Sequence, residues 1–294
     1  MPTFATVLND WFAKDQGDRR SADEKRRALK KDALPTLGRY QIDQIKREDI
    51  RSLLDAIVDR GAPIHANRVL AYLRRFFNWC VERDLIPSSP VTGIKPPARE
   101  RSRERTLDAK ELAAVLSATD NLSMPFGPFF RLLLLTGQRR SEVAGAKWAE
   151  IDLPKAEWTI PVSRAKNAKS HIVHLSKEAV DILSSHPRIV GSDFVFTTTG
   201  ITPISGFSKA KAELECASGV TGWTIHDLRR TFATIATGEL GIEPAVVDKI
   251  LNHSSGVVTG VAAVYQRHAY LEQRQKALVA WGEYVSNLRP ATDD

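Results

Sequence analysis

The chain has 294 residues, of which 43% are hydrophobic and 26% charged, and its formal net charge at pH 7 is +7. This composition is typical of an ordinary globular protein, and the length is sufficient for two hydrophobic cores. No apolar run approaches the roughly 20 residues that span a bilayer, which excludes a membrane-protein class, and the basic surplus favours a polyanionic partner. The two cysteines, Cys80 and Cys216, form neither a disulfide framework nor a zinc motif, and this predicts a cytoplasmic protein.

The first 95 residues have a helical pattern throughout. Ser21 and Glu24 form a capping box that opens residues 21–34, and apolar side chains repeat at helical spacing in residues 47–60 and 64–85. Because several short amphipathic helices bury their apolar sides against one another, residues 1–95 are predicted to form a small helical bundle.

A linker is predicted at residues 96–105. The segment 95–105 reads KPPARERSRER, with five basic and two acidic residues. Such a segment is either a solvated connection or a basic strap that follows a phosphate backbone, and on this feature alone the two are equally good interpretations.

Residues 106–294 are predicted to form a second domain. Asp108 and Glu111 form a capping box, and an apolar helix over 129–135 ends at Gly137. Three short β patterns follow (KWAEIDL, EWTIPV and HIVHL), and helices resume after Ser176. The predicted fold class is therefore mainly α with a small antiparallel sheet (α+β). The last helix, 270–288, is amphipathic and packs either on its own domain or on a neighbouring molecule.

Three polar segments of this domain carry groups suited to phosphoryl transfer. The first, TGQRRSEV (136–143), places Arg139 where a new helix begins, with Glu142 on the same side of the helix. An arginine can donate two parallel hydrogen bonds to phosphate oxygens, and a helix N-terminus adds positive potential. A surface Arg–Glu pair after a glycine turn is the more common explanation of this segment by itself.

The second segment, IHDLRRTFAT (225–234), places His226 and Arg229 three residues apart on a helix, so that they point the same way. An imidazole can transfer protons and a guanidinium can bind phosphate. A lone HxxR motif is weak evidence, and a core helix with incidental polar residues also explains this segment.

The third segment (250–273) contains His253 and, twelve residues later, Tyr265. A phenol with a pKa near 10 is a weak nucleophile unless cations or a base assist it, and a structural tyrosine is the more usual role. Tyr270 is a second candidate nucleophile.

Taken together and in order, TGxRxxE, HxxR and a histidine shortly before a tyrosine resemble the tyrosine recombinase (phage integrase) family, and most closely the integrases of prophages and genomic islands. The resemblance covers residues 106–288, and the helical region 1–95 resembles the core-binding domain of the family. It implies a catalytic domain over 106–294 with a C-terminal exchange helix at about 270–288.

The resemblance also implies site residues. Two arginines match those that clamp the scissile phosphate, two histidines match the positions that assist proton transfer, one lysine matches the general acid and one tyrosine matches the nucleophile: Arg139, Arg229, His226, His253, Lys166 and Tyr265. Lys169 is the alternative to Lys166, because both lie in the turn before HIVHL. The sequence departs from the family at Asn252, where the LGH motif has glycine.

The expected activity is site-specific cleavage and rejoining of DNA through a 3′-phosphotyrosine, which integrates or excises a mobile element and needs neither ATP nor a metal cofactor. The resemblance implies double-stranded DNA at specific attachment sites as partner, clamped between the two domains. It implies a monomer free in solution, a homo-tetramer on DNA, and accessory DNA-bending or directionality factors. Family members often have an additional N-terminal arm-binding domain, so we expect a fragment or a short variant.

Three other functions compete with this one. A type IB topoisomerase shares the phosphotyrosine chemistry but relaxes supercoils without a partner site, and the small helical domain favours the recombinase. A non-catalytic DNA-binding protein on this fold would lack some of the polar groups. A two-metal nuclease needs clustered carboxylates, which the sequence does not offer, and His171 and His174 would face opposite sides of a strand.

Overall fold

A computed structural model of the chain describes residues 1–16, 22–100, 104–165, 167, 169–253 and 270–288. The chain divides into two compact units, Met1–Arg103 and Glu104–Asp294. Among the residues described, no helix is both long and apolar enough to cross a membrane.

The first unit is helical in its described part. Its helices are α1 (Phe4–Lys14), α2 (Ala22–Leu37), α3 (Arg47–Asp59) and α4 (Pro63–Glu82). Each of them buries one apolar side in a shared core, whose largest fully buried side chains are Phe4, Trp11, Phe12, Phe76 and Phe77. Phe76 lies 5.1 Å from Phe4 and 5.6 Å from Trp11 between ring centroids, in edge-to-face arrangements that aromatic pairs prefer.

In its described residues, the second unit combines helices with three short strands. In chain order, its elements are α5 (Ala109–Ala118), α6 (Phe126–Thr136), α7 (Arg140–Ala144), β1 (Ile151–Asp152), β2 (Glu157–Ile160), β3 (His171–His174), α8 (Lys177–Ser185), α9 (Phe207–Ser218), α10 (Ile225–Gly238), α11 (Pro244–Ile250) and α12 (Leu271–Asn287). Short 3₁₀ turns follow α5 and precede β1. The predicted class, mainly α with a small antiparallel sheet, is confirmed.

The sheet is antiparallel, with the strand order β1-β2-β3. Trp158 pairs with Val173, and both side chains are buried in the core of this unit. The predicted strand KWAEIDL is mostly wrong, because Trp148–Glu150 forms a 3₁₀ turn and only Ile151–Asp152 pairs with β2. The Glu150 carboxylate accepts a hydrogen bond from the Lys147 backbone N–H at 3.3 Å, and this local bond favours the turn over a longer strand.

The core of the second unit includes α12. Its Leu278, Trp281 and Val285 are buried, and the indole N–H of Trp281 donates to the carbonyl oxygen of Leu134 on α6 at 3.0 Å. Within one chain, this helix therefore packs on its own unit. Exchange of the helix between molecules stays a prediction, and it would require these contacts to break.

Candidate functional site

Arg139 lies where the chain turns sharply between α6 and α7. Gly137 ends α6 in the left-handed region, with φ of +62°, and its N–H donates to the Leu133 carbonyl at 3.1 Å. A Cβ atom at this position would lie 2.8 Å from the ring of Phe232. Glycine is required here both by the backbone conformation and by the close packing.

The guanidinium of Arg139 is held from two sides. It donates to the Glu142 carboxylate at 3.0 Å and to the backbone carbonyl of Asn252 at 3.2 Å. The other carboxylate oxygen of Glu142 accepts the backbone N–H of Arg139 at 3.0 Å. The Glu142 side chain is 2% exposed and the Arg139 side chain 20%, so the carboxylate is buried while part of the arginine side chain remains accessible.

Arg229 is the most deeply buried cation of the site, with 4% of its surface exposed. It donates to the Gly137 carbonyl at 2.6 Å and to the Leu251 carbonyl. Burial, followed by repulsion from Arg139, lowers the pKa of Arg229 to about 10. The group is therefore still protonated at pH 7, and two neighbouring guanidinium groups create a strongly positive environment.

His226 lies three residues before Arg229 on α10. Loss of water around the ring lowers its pKa, and the positive charges of Arg230 and Arg229 lower it further. The imidazole is therefore neutral at pH 7 and can accept a proton. The start of α10 is fixed by the buried Asp227 carboxylate, which accepts the backbone N–H of Thr224 at 2.7 Å and its hydroxyl at 2.8 Å.

Arg139, His226 and Arg229 line one cavity of about 580 Å³. The three side chains are up to 90 residues apart in the sequence, and α7 and α10 bring them together. The remaining lining residues are Gln138, Arg140, Ser141, Phe207, Ser208, Lys211, Trp223, Thr224 and Ile225. A positively charged concave surface with a neutral imidazole in its lining can bind a phosphate group and transfer a proton.

His253 belongs to the turn after α11 and is not one of the residues that line this cavity. Its Nδ1 atom lies 3.0 Å from the Asp248 carboxylate, and its side chain is 42% exposed. The turn is joined to the two arginines through the carbonyl groups of Leu251 and Asn252. His253 therefore directly follows the two residues whose carbonyl oxygens accept hydrogen bonds from the guanidinium groups.

Lys166 and Tyr265 lie outside the described residues. Lys169 is described, and it is exposed in the connection between β2 and β3. Tyr270 takes the position before α12 with φ of +81°, and its ring packs partly buried against the core of its unit.

Two polar residues of the site were missed in the sequence. Gln138 is buried, and its amide donates to the carbonyls of Thr136 and Ile250, both at 2.9 Å, which ties the α6–α7 junction to the end of α11. Asn167 forms a hydrogen-bonded amide pair with Asn252. No periodicity or spacing points to Gln138, whereas the unusual asparagine at 252 was a usable signal.

Metal ligands do not cluster in the described part of the chain, where no group of three or more His, Cys, Asp or Glu side chains is placed to hold an ion. His171, on β3, instead places its Nε2 atom 3.0 Å from the Ile250 carbonyl. Burial, then the charge of Arg274, lowers the pKa of His171 to about 3, so it is a neutral structural imidazole at pH 7.

Comparison with known proteins gives matches over both units. The model of the phage integrase family matches residues 105–271, and the model of the phage integrase central domain matches residues 4–96. The prophage integrase IntZ of Escherichia coli (strain K12) is 30% identical over 292 residues, which cover 97% of this chain and 71% of IntZ. The tyrosine recombinase XerD of Lacticaseibacillus casei is 29% identical over 70% of this chain and 73% of its own length.

Among solved structures, a lambda integrase tetramer bound to a Holliday junction has a similar fold. The TM-score is 0.70 at 18% sequence identity, and the match covers 88% of this chain and 80% of the lambda integrase chain. At this identity the likeness concerns the fold. The family matches and the relatives favour a recombinase over a topoisomerase or a non-catalytic protein. The chain belongs to the phage integrase family and is a tyrosine-type site-specific recombinase.

Proposed function

We propose that this recombinase binds one scissile DNA phosphate in the cavity at Arg139 and Arg229 and cleaves the strand with Tyr265 as nucleophile. The observation that carries the proposal is the convergence of Arg139, Arg229 and His226 on one cavity. Arg229 retains its charge in spite of its burial, and low polarity strengthens its attraction to a phosphate.

In the proposed reaction, the phenolic oxygen of Tyr265 forms a bond to phosphorus while the bond from phosphorus to the 5′-oxygen breaks. The two arginines stabilise the charge on the non-bridging oxygens of the trigonal-bipyramidal phosphate. Because both guanidinium groups are already held by Glu142 and by backbone carbonyls, little reorganisation is needed when the phosphate binds.

Two protons move in this step. The phenolic proton passes to His226, which is neutral at pH 7 because its pKa is lowered. The ammonium of Lys166, or of Lys169 if that lysine takes the role, gives a proton to the departing 5′-oxygen. His253 orients the reacting groups from the neighbouring turn. A 5′-hydroxyl of the partner strand then reverses the step, so the energy of the phosphate bond is conserved.

Tyr265 is preferred to Tyr270 on structural grounds as well as by motif. Tyr270 is fixed before α12, its carbonyl accepts the Arg274 backbone N–H at 2.8 Å, and its ring packs against the core. A nucleophile needs its oxygen free to approach phosphorus in line. The packing of Tyr270 therefore supports a structural role for it.

The proposed partner is double-stranded DNA at an attachment site. Phosphate contacts by basic side chains would supply most of the affinity, which should fall as salt rises. The proposal includes residues 1–95 and 106–294 as the two halves of a clamp with the basic linker 96–105 on the backbone. It also includes a monomer free in solution and, on two sites, a homo-tetramer like the lambda integrase tetramer that binds a Holliday junction. Accessory DNA-bending or directionality factors belong to the same proposal.

The test uses a nicked suicide duplex that carries the attachment site. The sequence of this site is taken from the two ends of the mobile element that encodes the chain. The nick lets the short cleaved fragment diffuse away, so a covalent protein–DNA adduct accumulates. We expect the adduct with the wild-type protein and with Tyr270→Phe, and none with Tyr265→Phe.

The reverse pattern would move the nucleophile to Tyr270. Adduct formation by Tyr265→Phe at the wild-type rate would refute Tyr265 as the nucleophile. Arg229→Lys serves as a companion variant, because it retains a positive charge but loses the planar guanidinium, whose two terminal nitrogens bond separate carbonyls. We expect this variant to bind the duplex and to form the adduct at least about 100-fold more slowly.

A further inference from the structure

Asn252 occupies a backbone position that normally suits glycine. Its φ is +49°, in the left-handed region, where asparagine is one of the few other residues that is tolerated. The motif that this turn resembles has glycine here. The side chain at 252 is therefore not needed for the turn itself, and its contacts require a separate explanation.

The side chain of Asn252 forms a reciprocal amide pair with Asn167. The Asn167 amide donates to Oδ1 of Asn252 at 2.5 Å, and the Asn252 amide donates to Oδ1 of Asn167 at 3.3 Å. Two bonds that run in opposite directions fix the relative orientation of both side chains. A glycine at 252 would keep the turn but could form neither bond.

The backbone of Asn252 connects the same residue to the phosphate cavity. Its carbonyl accepts a hydrogen bond from Arg139 at 3.2 Å. Asn167 lies in the connection between β2 and β3 and is the residue next to Lys166 in the chain. Asn252 therefore links a cavity arginine to the lysine-bearing connection, and its amide pair with Asn167 spans 85 positions of sequence.

We propose that Asn167 and Asn252 are positioning residues, and that their amide pair holds the β2–β3 connection so that its lysine can protonate the departing 5′-oxygen. This inference rests on the proposed role of Lys166 or Lys169 as general acid. In the step concerned, the bond from the tyrosine oxygen to phosphorus forms, the bond from phosphorus to O5′ breaks, and the ammonium proton goes to O5′. Neither asparagine contacts the reacting atoms in this scheme.

A substrate with sulfur in place of the bridging 5′-oxygen distinguishes two explanations of a slower variant. One is a misplaced general acid, and the other is general structural damage. A thiolate leaves without protonation, because a thiol pKa is near 8.5, whereas an alkoxide needs a proton donor. The substrates are two nicked suicide duplexes of the attachment site that differ only in this atom. The variants are Asn167→Ala, Asn252→Gly and the double variant, with Lys166→Ala and Lys169→Ala as reference variants.

We expect each asparagine variant to form the covalent adduct about tenfold more slowly on the oxygen substrate, the size that the loss of one hydrogen-bonded pair allows, and at the wild-type rate on the sulfur substrate. The double variant should be no slower than the slower single variant, because both changes remove the same interaction. Asn252→Gly keeps the left-handed backbone, so it is the variant that is expected to fold normally. Asn121→Ala, in an exposed turn of the same unit, is a matched asparagine control and should be unaffected on both substrates.

Equal slowing on both substrates would assign the pair a merely structural role and overturn the inference. Normal rates on both would overturn it as well. The lysine variants report on the underlying assignment: one of them should lose most activity on oxygen and recover on sulfur. If neither recovers on sulfur, the general acid is not a lysine of this turn, and the inference falls with that assignment. If one lysine variant recovers while the asparagine variants match wild type, only the amide pair is refuted.

Discussion

The glycine at the α6–α7 junction offers a quantitative test of how the site is built. In Gly137→Ala, the backbone of the new alanine must keep a φ of +62°. This left-handed conformation costs an alanine about 1–2 kcal/mol. The same atom would meet the buried ring of Phe232 at 2.8 Å and the side chain of Leu251 at 3.3 Å. Overpacking of this kind costs about 1–3 kcal/mol, so we expect a total destabilisation of about 3 kcal/mol.

Gly219→Ala is the matched control, because Gly219 also ends a helix with positive φ (+71°) but has open space around the position of a Cβ. Its cost should be the backbone cost alone, about 1–2 kcal/mol. Amide hydrogen exchange of peptides from α6 and α10 reports the opening free energy of this unit without assuming that the whole chain unfolds in one step. Destabilisation of Gly137→Ala by no more than Gly219→Ala would refute the packing argument.

The same substitution should also slow DNA cleavage. The Gly137 carbonyl accepts a hydrogen bond from Arg229 at 2.6 Å, so a shift of the junction displaces a guanidinium of the proposed phosphate site. Adduct formation on the suicide duplex should therefore be slower in Gly137→Ala and unchanged in Gly219→Ala. Equal rates of adduct formation in the two variants would show that the α6–α7 junction does not position the proposed phosphate site.

Other predictions concern the same unit and the thiols. Because the pKa of His171 is lowered to about 3 in the folded state, the unfolded state takes up the proton first as pH falls below about 6.5. The stability supplied by the neutral ring is complete above that pH and falls by about 2 kcal/mol by pH 5, and urea titrations should show a smaller loss over this range in His171→Gln. Trp281→Ala should lower the opening free energy measured by hydrogen exchange of α6 and α12 by about 3–5 kcal/mol, because the indole is fully buried. A decrease below about 1 kcal/mol would contradict the packing of α12 on its own unit. Iodoacetamide should modify the exposed Cys216 and not Cys80 in the native protein, because burial raises the pKa of Cys80 to about 12. Mass spectrometry measures the labelling, and equal labelling of the two thiols would contradict the burial of Cys80.

Local patterns alone predicted α2 to α6 and drew attention to the polar groups of three segments. The capping box at Asp108 and Glu111 forms as expected, with the Glu111 N–H donating to Asp108 at 2.9 Å. The apolar spacing over 64–85 predicted α4, and Gly137 ends α6 as its sequence indicates. These features depend on residues within a few positions of one another, so their geometry follows from helix periodicity and capping. Prediction failed where short contacts compete, as in the 3₁₀ turn that replaces most of the strand KWAEIDL.

What only the tertiary structure decided is which distant groups share a hydrogen bond. The sequence placed Arg139, His226 and Arg229 in one family pattern, but it offered no reason for two guanidinium groups to end on the carbonyls of Leu251 and Asn252. It marked Asn252 as unusual without its partner, 85 positions away in the turn between two strands. A hydrogen bond needs its donor and acceptor within about 3 Å and well aligned. Inside a helix, spacing along the chain determines which donors and acceptors meet. Between different elements, only the packing of α6, α10, α11 and the sheet determines it.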